Sequence, residues 1–328
     1  MTLTAYPAAC GDCLVLEYGA AAARHRILID GGLNSAFEHG LGTLLPPAPA
    51  APTKFDLVIV SHIDRDHIDG VIIGLRDQRL DADDFWFNGR DEIEALIDGD
   101  GRGVRQGDAL SDLIPAEKRN RIVSGQAIHV PASGPVVHTL PGGATCTLLT
   151  PSPARLNRLY DIWPDTERDL GDPTDALLDA LDAPAVVVRE FGRDGSEANG
   201  SSIAFVFEFE DVKLLLTADA YAADLVESIT TMLRPGEQKL AVDLFKLSHH
   251  GSRANMTDEL LELIDPAAVL VCTDGSKFKH PDLDALDKVR HHYPNVPIHF
   301  TANTPLIQER AQRVGSTAPA ALPVTLRF

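Results

Sequence analysis

Cysteine is scarce in this sequence, and long apolar runs are missing from it. The four cysteines are too few and too scattered for a disulfide framework, which excludes the small disulfide-stabilised secreted proteins. No apolar run approaches the ~20 residues that cross a bilayer, and the N-terminus lacks the basic and apolar segments of a signal peptide. We therefore expect a cytoplasmic protein with no membrane partner.

Basic residues are also few compared with acidic ones. The 328 residues include 29 Lys and Arg against 48 Asp and Glu, which gives a formal net charge of -19. An acidic protein repels polyanions at long range, so non-specific binding along nucleic acid is disfavoured unless basic side chains are concentrated near a site. The 44% hydrophobic content is enough to bury one large core or two modest ones.

A C-x-x-C pattern at Cys10 and Cys13 is the one local arrangement of cysteines. It could be half of a zinc knuckle or a redox pair, but no second pair completes a four-cysteine site and no thioredoxin-like pattern surrounds it. We interpret it as a tight turn through Gly11 and Asp12.

The stretch 56–70 combines a buried strand with a group of potential metal ligands. The β-branched run at 57–60 predicts the strand. The ligand-type residues that follow it are His62, Asp64, Asp66 and His67. Histidine and aspartate are the ligands of divalent metals that carry out hydrolysis. In the alternative reading Asp66 only caps the next helix, which leaves the two histidines unexplained.

Two later strands end in the same kind of residue. The run at 213–217 leads to Asp219, and the run at 244–247 leads to His249 and His250. Asp219 could instead cap the following helix, and one of the two histidines could be a core residue. Taken together with the stretch 56–70, these strand ends predict a metal site at one edge of two paired sheets.

The remaining pattern predicts an α+β protein with two packed sheets and helices outside them. We expect a single domain over residues 1–328, with a first half over about 1–150, a helical acidic insertion over about 154–183 and a second half over about 184–328. The predicted strands are 14–18, 26–30, 57–60, 85–87, 127–130, 145–149, 185–189, 203–209, 213–217, 244–247, 269–272, 298–301 and 324–328. The predicted later helices are 224–233, 257–264 and 283–293.

These residues together resemble the metallo-β-lactamase superfamily. The matching motifs, in the family's order, are Asp30-Gly-Gly, H-x-D-x-D-H at 62–67, Asp219 and His249-His250-Gly-Ser. Within it the chain is most similar to the hydrolase domain of ComEC-like competence proteins. That group adds Gly11-Asp12, Asn199-Gly-Ser201 and His280-Pro281 to the match. The resemblance implies an αββα four-layer sandwich of two mixed sheets, with Asp12 and Asp30 as structural support.

The sequence departs from that pattern at several positions. Ala218 and Lys279 stand where glycine is usual, and we expect the first change to be harmless. The turn from Asn199 to Ser202 holds the place of a histidine, so one metal position should be poor in ligands. The membrane region that accompanies this domain in the channel proteins is missing, so a role in DNA transport does not carry over.

The ligand set favours two divalent ions of the harder kind. Asp64 stands where many relatives have an imidazole, so three carboxylates join His62, His67 and His249, with His250 as a further candidate. Oxygen-rich sites prefer harder ions, so we expect manganese, with zinc or magnesium possible.

The expected activity is that of a phosphodiesterase or nuclease that uses a metal-bridged hydroxide. We expect catalytic roles for Asp66, His280 and Lys246, and a phosphodiester partner that is either nucleic acid or a small nucleotide. The candidate substrate-binding residues are Asn199, Ser201, Ser202, Ser252 and Lys277. Two alternatives stay open: hydrolysis of a small lactone or thioester, and a non-catalytic protein that binds a nucleotide or metal. The sequence names no protein partner.

Overall fold

The computed structural model describes residues 1–47, 49–98, 110–163 and 196–328. Their strands are β1 Thr2–Ala5, β2 Leu14–Tyr18, β3 His25–Ile29, β4 Thr53–Ile59, β5 Leu80–Trp86, β6 Val136–Thr139, β7 Thr145–Thr150, β8 Ala204–Phe209, β9 Val212–Leu216, β10 Leu240–Val242, β11 Leu244–Lys246, β12 Ile264–Pro266, β13 Val269–Val271, β14 Ile298–Phe300 and β15 Val324–Arg327. Their α-helices are Arg65–Arg76, Arg90–Asp98, Pro153–Ile162, Glu197–Gly200, Ala222–Met232, Asp258–Glu262, Leu283–His292 and Pro305–Arg313.

Two mixed sheets contain nearly all of these strands. The first has six strands in the order β15-β1-β2-β3-β4-β5, and the second has seven in the order β14-β13-β11-β9-β8-β7-β6. Parallel pairs join β3, β4 and β5 in the first sheet, and β9, β11, β13 and β14 in the second. The small β10-β12 pair stands apart. Strands β6 and β7 belong to the second sheet although they lie before residue 150, and β15 returns to the first.

Three apolar layers show how the sheets and helices stack. The middle layer joins Leu16 and Ile59 of the first sheet to Phe207 and Leu214 of the second, so the sheets pack face to face. Each outer layer packs a sheet against helices: Val58 lies in one cluster with Ile68 of the helix Arg65–Arg76. Central strands are therefore buried on both faces and read as continuous apolar runs. The expected αββα architecture is confirmed.

Four of the described helices form the outer layer on the second sheet. The apolar faces of Ala222–Met232, Asp258–Glu262, Leu283–His292 and Pro305–Arg313 supply this layer. The last of these was not predicted, although Thr304 caps it by accepting from the Ile307 N–H and Pro305 begins it. Among the described residues, every helix is too short or too polar to span a bilayer.

The predicted strand at 127–130 is wrong. This stretch joins no strand among the described residues, and the backbone of Ile128 pairs with a side chain instead. The Asn88 amide donates to the Ile128 carbonyl at 2.8 Å and accepts from its N–H at 2.7 Å. The buried backbone is thereby satisfied without a ladder. Four short strands, β1, β6, β10 and β12, were not predicted.

The predicted insertion is only partly visible. The helix Pro153–Ile162 begins it, with Ser152 accepting from the Arg155 N–H as its cap. Residues 164–195, which contain the rest of the insertion and the predicted strand at 185–189, lie outside the described residues.

Candidate metal centre

The predicted ligand-type residues converge where parallel strands of both sheets end. His62 follows β4, Asp219 follows β9, and His249 and His250 follow β11. The two sheets are joined at this edge by the Ile203 N–H, which donates to the Ser61 carbonyl at 2.8 Å. In open α/β sheets ligands bind at the carboxyl ends of strands, and this site follows the same geometry.

One group of potential ligands is centred on His67 and His250. Their Nε2 atoms are 3.4 Å apart. Asp219 Oδ2 lies 3.3 Å from His250 Nε2, and Asp66 Oδ2 lies 3.6 Å from the same atom. Asp219 Oδ1 lies 3.6 Å from His67 Nε2. Four ligand-type side chains thus surround one small volume.

Asp30 and Ser61 hold His67 from behind. Asp30 Oδ2 is 2.8 Å from His67 Nδ1, and its two oxygens accept from the Ser61 N–H and hydroxyl at 2.7 Å each. A carboxylate at Nδ1 fixes the imidazole so that Nε2 is the nitrogen presented to the site. Asp30 is fully buried, and its contacts are those of a supporting residue.

His62 shares a ligand group with Asp219, whereas Asp64 belongs to none of the groups found among the described residues and lies beside His62. His62 Nε2 lies 3.6 Å from Asp64 Oδ2. Asp64 is the N-cap residue of the helix Arg65–Arg76 but makes no capping hydrogen bond. Asp219 is not a cap either, because the next helix has Tyr221 as its N-cap residue. Asp66 lies within the first turn of its helix, so neither Asp66 nor Asp219 is the cap residue that the alternative reading required.

His249 and His250 both approach Asp219, with Nε2 at 3.8 Å and 3.3 Å from its Oδ2. Both have a positive φ, 46° and 54°, which is uncommon for residues other than glycine. His250 is buried and its Nδ1 lies 2.7 Å from the Cys272 carbonyl oxygen, so its Nε2 faces the site. His249 is more exposed, and its Nδ1 lies 3.3 Å from Asn199 Nδ2 and 3.2 Å from Asn255 Oδ1.

The geometry fits divalent cations. His62 Nε2 and Asp219 Oδ1 are buried and have no hydrogen-bond partner among the residues that the structure describes. Buried polar atoms are normally paired, so two unpaired acceptor atoms in one ligand group suit the binding of a cation. The groups with ligand atoms within 4.8 Å of one another are His62-His67-Asp219, Asp66-His67-His250, Asp12-Asp219-His250 and Asp12-Asp30-His67.

Charge in the site also favours cations. Burial opposes protonation of His67, but Asp219 and Asp30 raise its pKa well above the usual value. Burial acts the same way on His250, and Asp219 together with Asp12 raises its pKa to about 10. Burial would raise the pKa of Asp219, but His250 and His67 hold it well below the usual value. The carboxylates make the electrostatic potential in the site negative, and this potential favours protonated histidines. Divalent ions that bind there would displace these protons.

Lys246 and Asp12 form a buried ion pair behind the ligands. Lys246 Nζ lies 2.5 Å from Asp12 Oδ2 and 4.0 Å from Asp219 Oδ1, and it donates to the Ala218 carbonyl at 3.1 Å. Only 1% of each residue is exposed. Lys246 therefore contacts buried residues behind the ligands and is not exposed to solvent.

Asp12 enters the site more deeply than the sequence suggested. It belongs to two of the ligand groups, and its Oδ1 lies 3.5 Å from His250 Nδ1. The turn that carries it packs on the ligands, because a Cβ on Gly11 would collide with the Asp66 carbonyl oxygen. The Gly11-Asp12 turn was the available signal, but only the packing of the two sheets brings Asp12 to His250.

The three serines predicted to bind substrate form hydrogen bonds mainly with the backbone. The Ser201 hydroxyl donates to the Ala198 carbonyl at 2.7 Å, and the Ser202 hydroxyl accepts from the Asp219 N–H at 3.3 Å. Ser252 is buried, and its N–H donates to the His249 carbonyl at 2.8 Å. Asn199 lies beside His249, so the turn 199–202 borders the site.

His280 and Lys277 lie on one loop at the rim of the site. The His280 ring centre is 5.4 Å from that of His249. Burial lowers the pKa of His280, and Asp282, whose Oδ1 is 3.5 Å from Nδ1, opposes this in part. Lys277 Nζ lies 4.9 Å from the Phe278 ring centre. Phe278 was not singled out from the sequence, where a lone phenylalanine carries no signal.

Comparison with known proteins gives likenesses of structure alone. No protein-family model matches the sequence, and no curated protein does. Human tRNase Z, short form, is 10% identical with a TM-score of 0.44, covering 100% of this chain and 99% of that one. The metallo-β-lactamase fold protein YhfI from Bacillus subtilis is 12% identical with a TM-score of 0.41, covering 92% and 96%.

A third similar structure is CmlA, a diiron β-hydroxylase from Streptomyces venezuelae. It is 12% identical with a TM-score of 0.44, and the match covers 90% of this chain and 52% of CmlA. At such low identities the function must be argued from the residues of this chain.

Proposed function

We propose that this protein is a metal-dependent hydrolase that cleaves phosphodiesters. The observation that carries the proposal is the convergence of buried ligand-type side chains around Asp219, with His62 Nε2 and Asp219 Oδ1 left without hydrogen bonds among the described residues. Asp66, His67, His250 and Asp219 would hold one ion. His62, Asp64 and Asp219 would hold a second, with His249 and Asn199 beside it.

When bound, such ions activate water for attack and polarise the electrophile, which is the chemistry that hydrolysis of a phosphodiester needs. The chain's own residues prepare the site for this. Asp30 orients His67, and the buried pair of Lys246 and Asp12 supports Asp219 and His250 from behind. Lys246 thus acts as a positioning residue in this proposal.

An anionic substrate is favoured by the groups at the rim. Lys277 supplies a positive charge, and His280 supplies an imidazole at the start of the helix Leu283–His292. A cation and a hydrogen-bond donor beside a metal centre suit a phosphate whose charge increases during the reaction. The net charge of -19 favours a short or small phosphodiester over a long polyanion.

A panel of substrates tests the activity and the metal. We expect turnover of bis(p-nitrophenyl) phosphate or short single-stranded oligonucleotides with manganese, less with magnesium or zinc, and none after treatment with a chelator. Manganese is expected because carboxylates make up half of the ligand set. Duplex DNA, RNA, a cyclic nucleotide and a lactone complete the panel, and elemental analysis should find up to two ions per chain.

The variant Asp64→His is the control for the metal. A nitrogen ligand in place of an oxygen should shift the preference from manganese toward zinc.

Turnover of the lactone alone would replace the phosphodiester proposal with the small-substrate alternative. Tight nucleotide binding without turnover at saturating manganese would select the non-catalytic alternative, and a metal-free protein after soaking would refute the centre itself.

His280→Ala is expected to lower kcat on a nucleotide phosphodiester by about 10²–10⁴-fold while the metal content stays unchanged. A nucleoside alkoxide needs a proton to leave, whereas p-nitrophenolate does not, so the p-nitrophenyl substrate should lose much less. Burial lowers the pKa of His280, so its protonated form disappears as the pH rises past a value below that of ordinary histidine. The wild-type kcat should fall over that range.

His291→Ala is the matched control, because His291 is an exposed histidine on the helix Leu283–His292. It should leave both substrates unaffected. Equal losses on the two substrates in His280→Ala would assign phosphate binding to His280 in place of proton donation. Unchanged activity on both substrates would assign His280 a structural role only, at the start of the helix.

A further inference from the structure

Phe278 is an exposed aromatic side chain at the rim of the metal centre. It leaves 53% of its surface exposed, whereas phenylalanine is usually buried. Lys277 Nζ lies over the ring at 4.9 Å from its centre. The ring therefore offers a second flat face next to a positive charge.

The loop that carries Phe278 is held by its own contacts. The Asp274 N–H donates to the Ala9 carbonyl at 2.8 Å, and the Thr304 hydroxyl donates to the Asp274 carbonyl at 2.9 Å. Lys279 has a φ of 62°, a left-handed conformation, and its ammonium donates to the Ser276 carbonyl at 3.2 Å. A costly backbone conformation held in this way keeps the loop in one shape.

A row of ring contacts connects Phe278 to the ligands. The ring centres are 6.0 Å apart for Phe278 and His280, 5.4 Å for His280 and His249, and 5.9 Å for His249 and His250. The ring of Phe278 is thus separated from that of His249 by one ring, that of His280.

We propose that Phe278 stacks against an unpaired nucleobase of the substrate. This rests on the phosphodiester activity proposed above and narrows its substrate class to nucleotides and single-stranded oligonucleotides. Every base has a flat face, so stacking on an aromatic ring holds bases without reading their sequence. Bases inside a duplex are already stacked on their neighbours and cannot use this contact.

The acidic charge of the protein favours a contact with the nucleic acid that does not depend on charge. Binding along a polyanion relies on many lysine and arginine contacts, which weaken steeply with salt. The net charge of -19 disfavours binding of that kind along a long strand. We therefore expect KM for a short single strand to depend only weakly on salt and strongly on Phe278.

Two trinucleotides test the stacking contact: trithymidylate, and the same chain with an abasic tetrahydrofuran unit beside the cleaved bond. Phe278→Ala should raise KM for trithymidylate roughly 10-fold or more, with kcat and the abasic KM unchanged. Phe278→Trp should restore the low KM. Val137→Ala removes another exposed apolar side chain, on β6 at the far edge of the second sheet, and should change neither substrate.

A binding measurement separates this inference from the proposed activity. A phosphorothioate trinucleotide containing 2-aminopurine should lose fluorescence on wild type and on Phe278→Trp, but not on Phe278→Ala. Equal quenching by wild type and Phe278→Ala, or equal KM changes on both trinucleotides, would overturn the stacking while phosphodiester hydrolysis stands. Quenching that depends on Phe278 without cleavage of any phosphodiester would retain the stacking site and refute the activity. A cyclic nucleotide assayed in parallel distinguishes small nucleotides from strand ends as the source of the base.

Discussion

Replacing Asp219 by asparagine is expected to remove all turnover above the metal-free background. Asp219 lies 3.3 Å from His250 Nε2 and 3.6 Å from His67 Nε2, and it also shares a ligand group with His62. Losing a group behind a metal ligand typically costs 10–100-fold, and Asp219 is itself a proposed ligand to both ions. Asparagine keeps the shape but lacks the charge, so metal content and turnover should fall together while the fold remains. Elemental analysis and the manganese assay measure both.

Asp243→Asn is the control for Asp219→Asn. Asp243 is also an aspartate at a strand boundary, and its Oδ2 accepts from the Lys213 N–H at 2.8 Å outside the ligand groups. It should retain full metal content and activity. Normal manganese content together with normal turnover in Asp219→Asn would remove Asp219 from the centre and with it the shared-ligand arrangement.

Lys246→Met is expected to lower the free energy of unfolding by about 3–5 kcal/mol, because it leaves the Asp12 carboxylate buried without its partner. Burial would raise the pKa of Asp12, but Lys246 holds it below the usual value. Burial would lower the pKa of Lys246, but Asp12 and Asp219 raise it. The aspartate contribution is lost as the pH falls through its lowered pKa, and the lysine contribution as the pH rises through its raised pKa. The pair therefore acts in full at neutral pH.

Two further variants make the Lys246 result specific. Lys213→Met removes a lysine from a more exposed ion pair with Glu208, where the loss should stay below about 1 kcal/mol. The double variant Asp12→Asn with Lys246→Met removes both charges and should regain most of the lost stability. Urea unfolding of the chelator-treated proteins measures all three. A Lys246→Met value equal to that of Lys213→Met would contradict the buried pair.

The ligand-bearing strand ends could be predicted from the sequence because their strands are central. Strands buried on both faces, such as β4 and β9, give unbroken apolar runs in the sequence. Such runs can be recognised without knowing which face each residue points to. A polar residue at the end of such a run then stands out, as His62 and Asp219 do. The short strand β6 and the pair β10-β12 lack this contrast. The stretch 127–130 has the contrast but pairs with Asn88, which no local pattern shows.

The inner details of the site depend on backbone conformation that composition does not reveal. His249 and His250 are two successive residues with positive φ, and both have Nε2 near Asp219 Oδ2, at 3.8 Å and 3.3 Å. Ala218 and Lys279, which replace glycines of the resembled group, also have positive φ, 45° and 62°. A left-handed alanine costs about 1–2 kcal/mol. The expectation that the change at Ala218 is harmless therefore overlooked a backbone penalty.

The two sides of the candidate metal centre are far apart along the chain. His67 and His250 face each other across 183 residues of sequence. His67 lies on the helix that follows β4 of the first sheet, and His250 lies in the turn that follows β11 of the second. Bringing together residues so far apart along the chain costs loop-closure entropy, which the packing of the two sheets must offset. The proposed ion site therefore depends on both sheets being packed together. An ion bound there would report that the two sheets are joined at this edge.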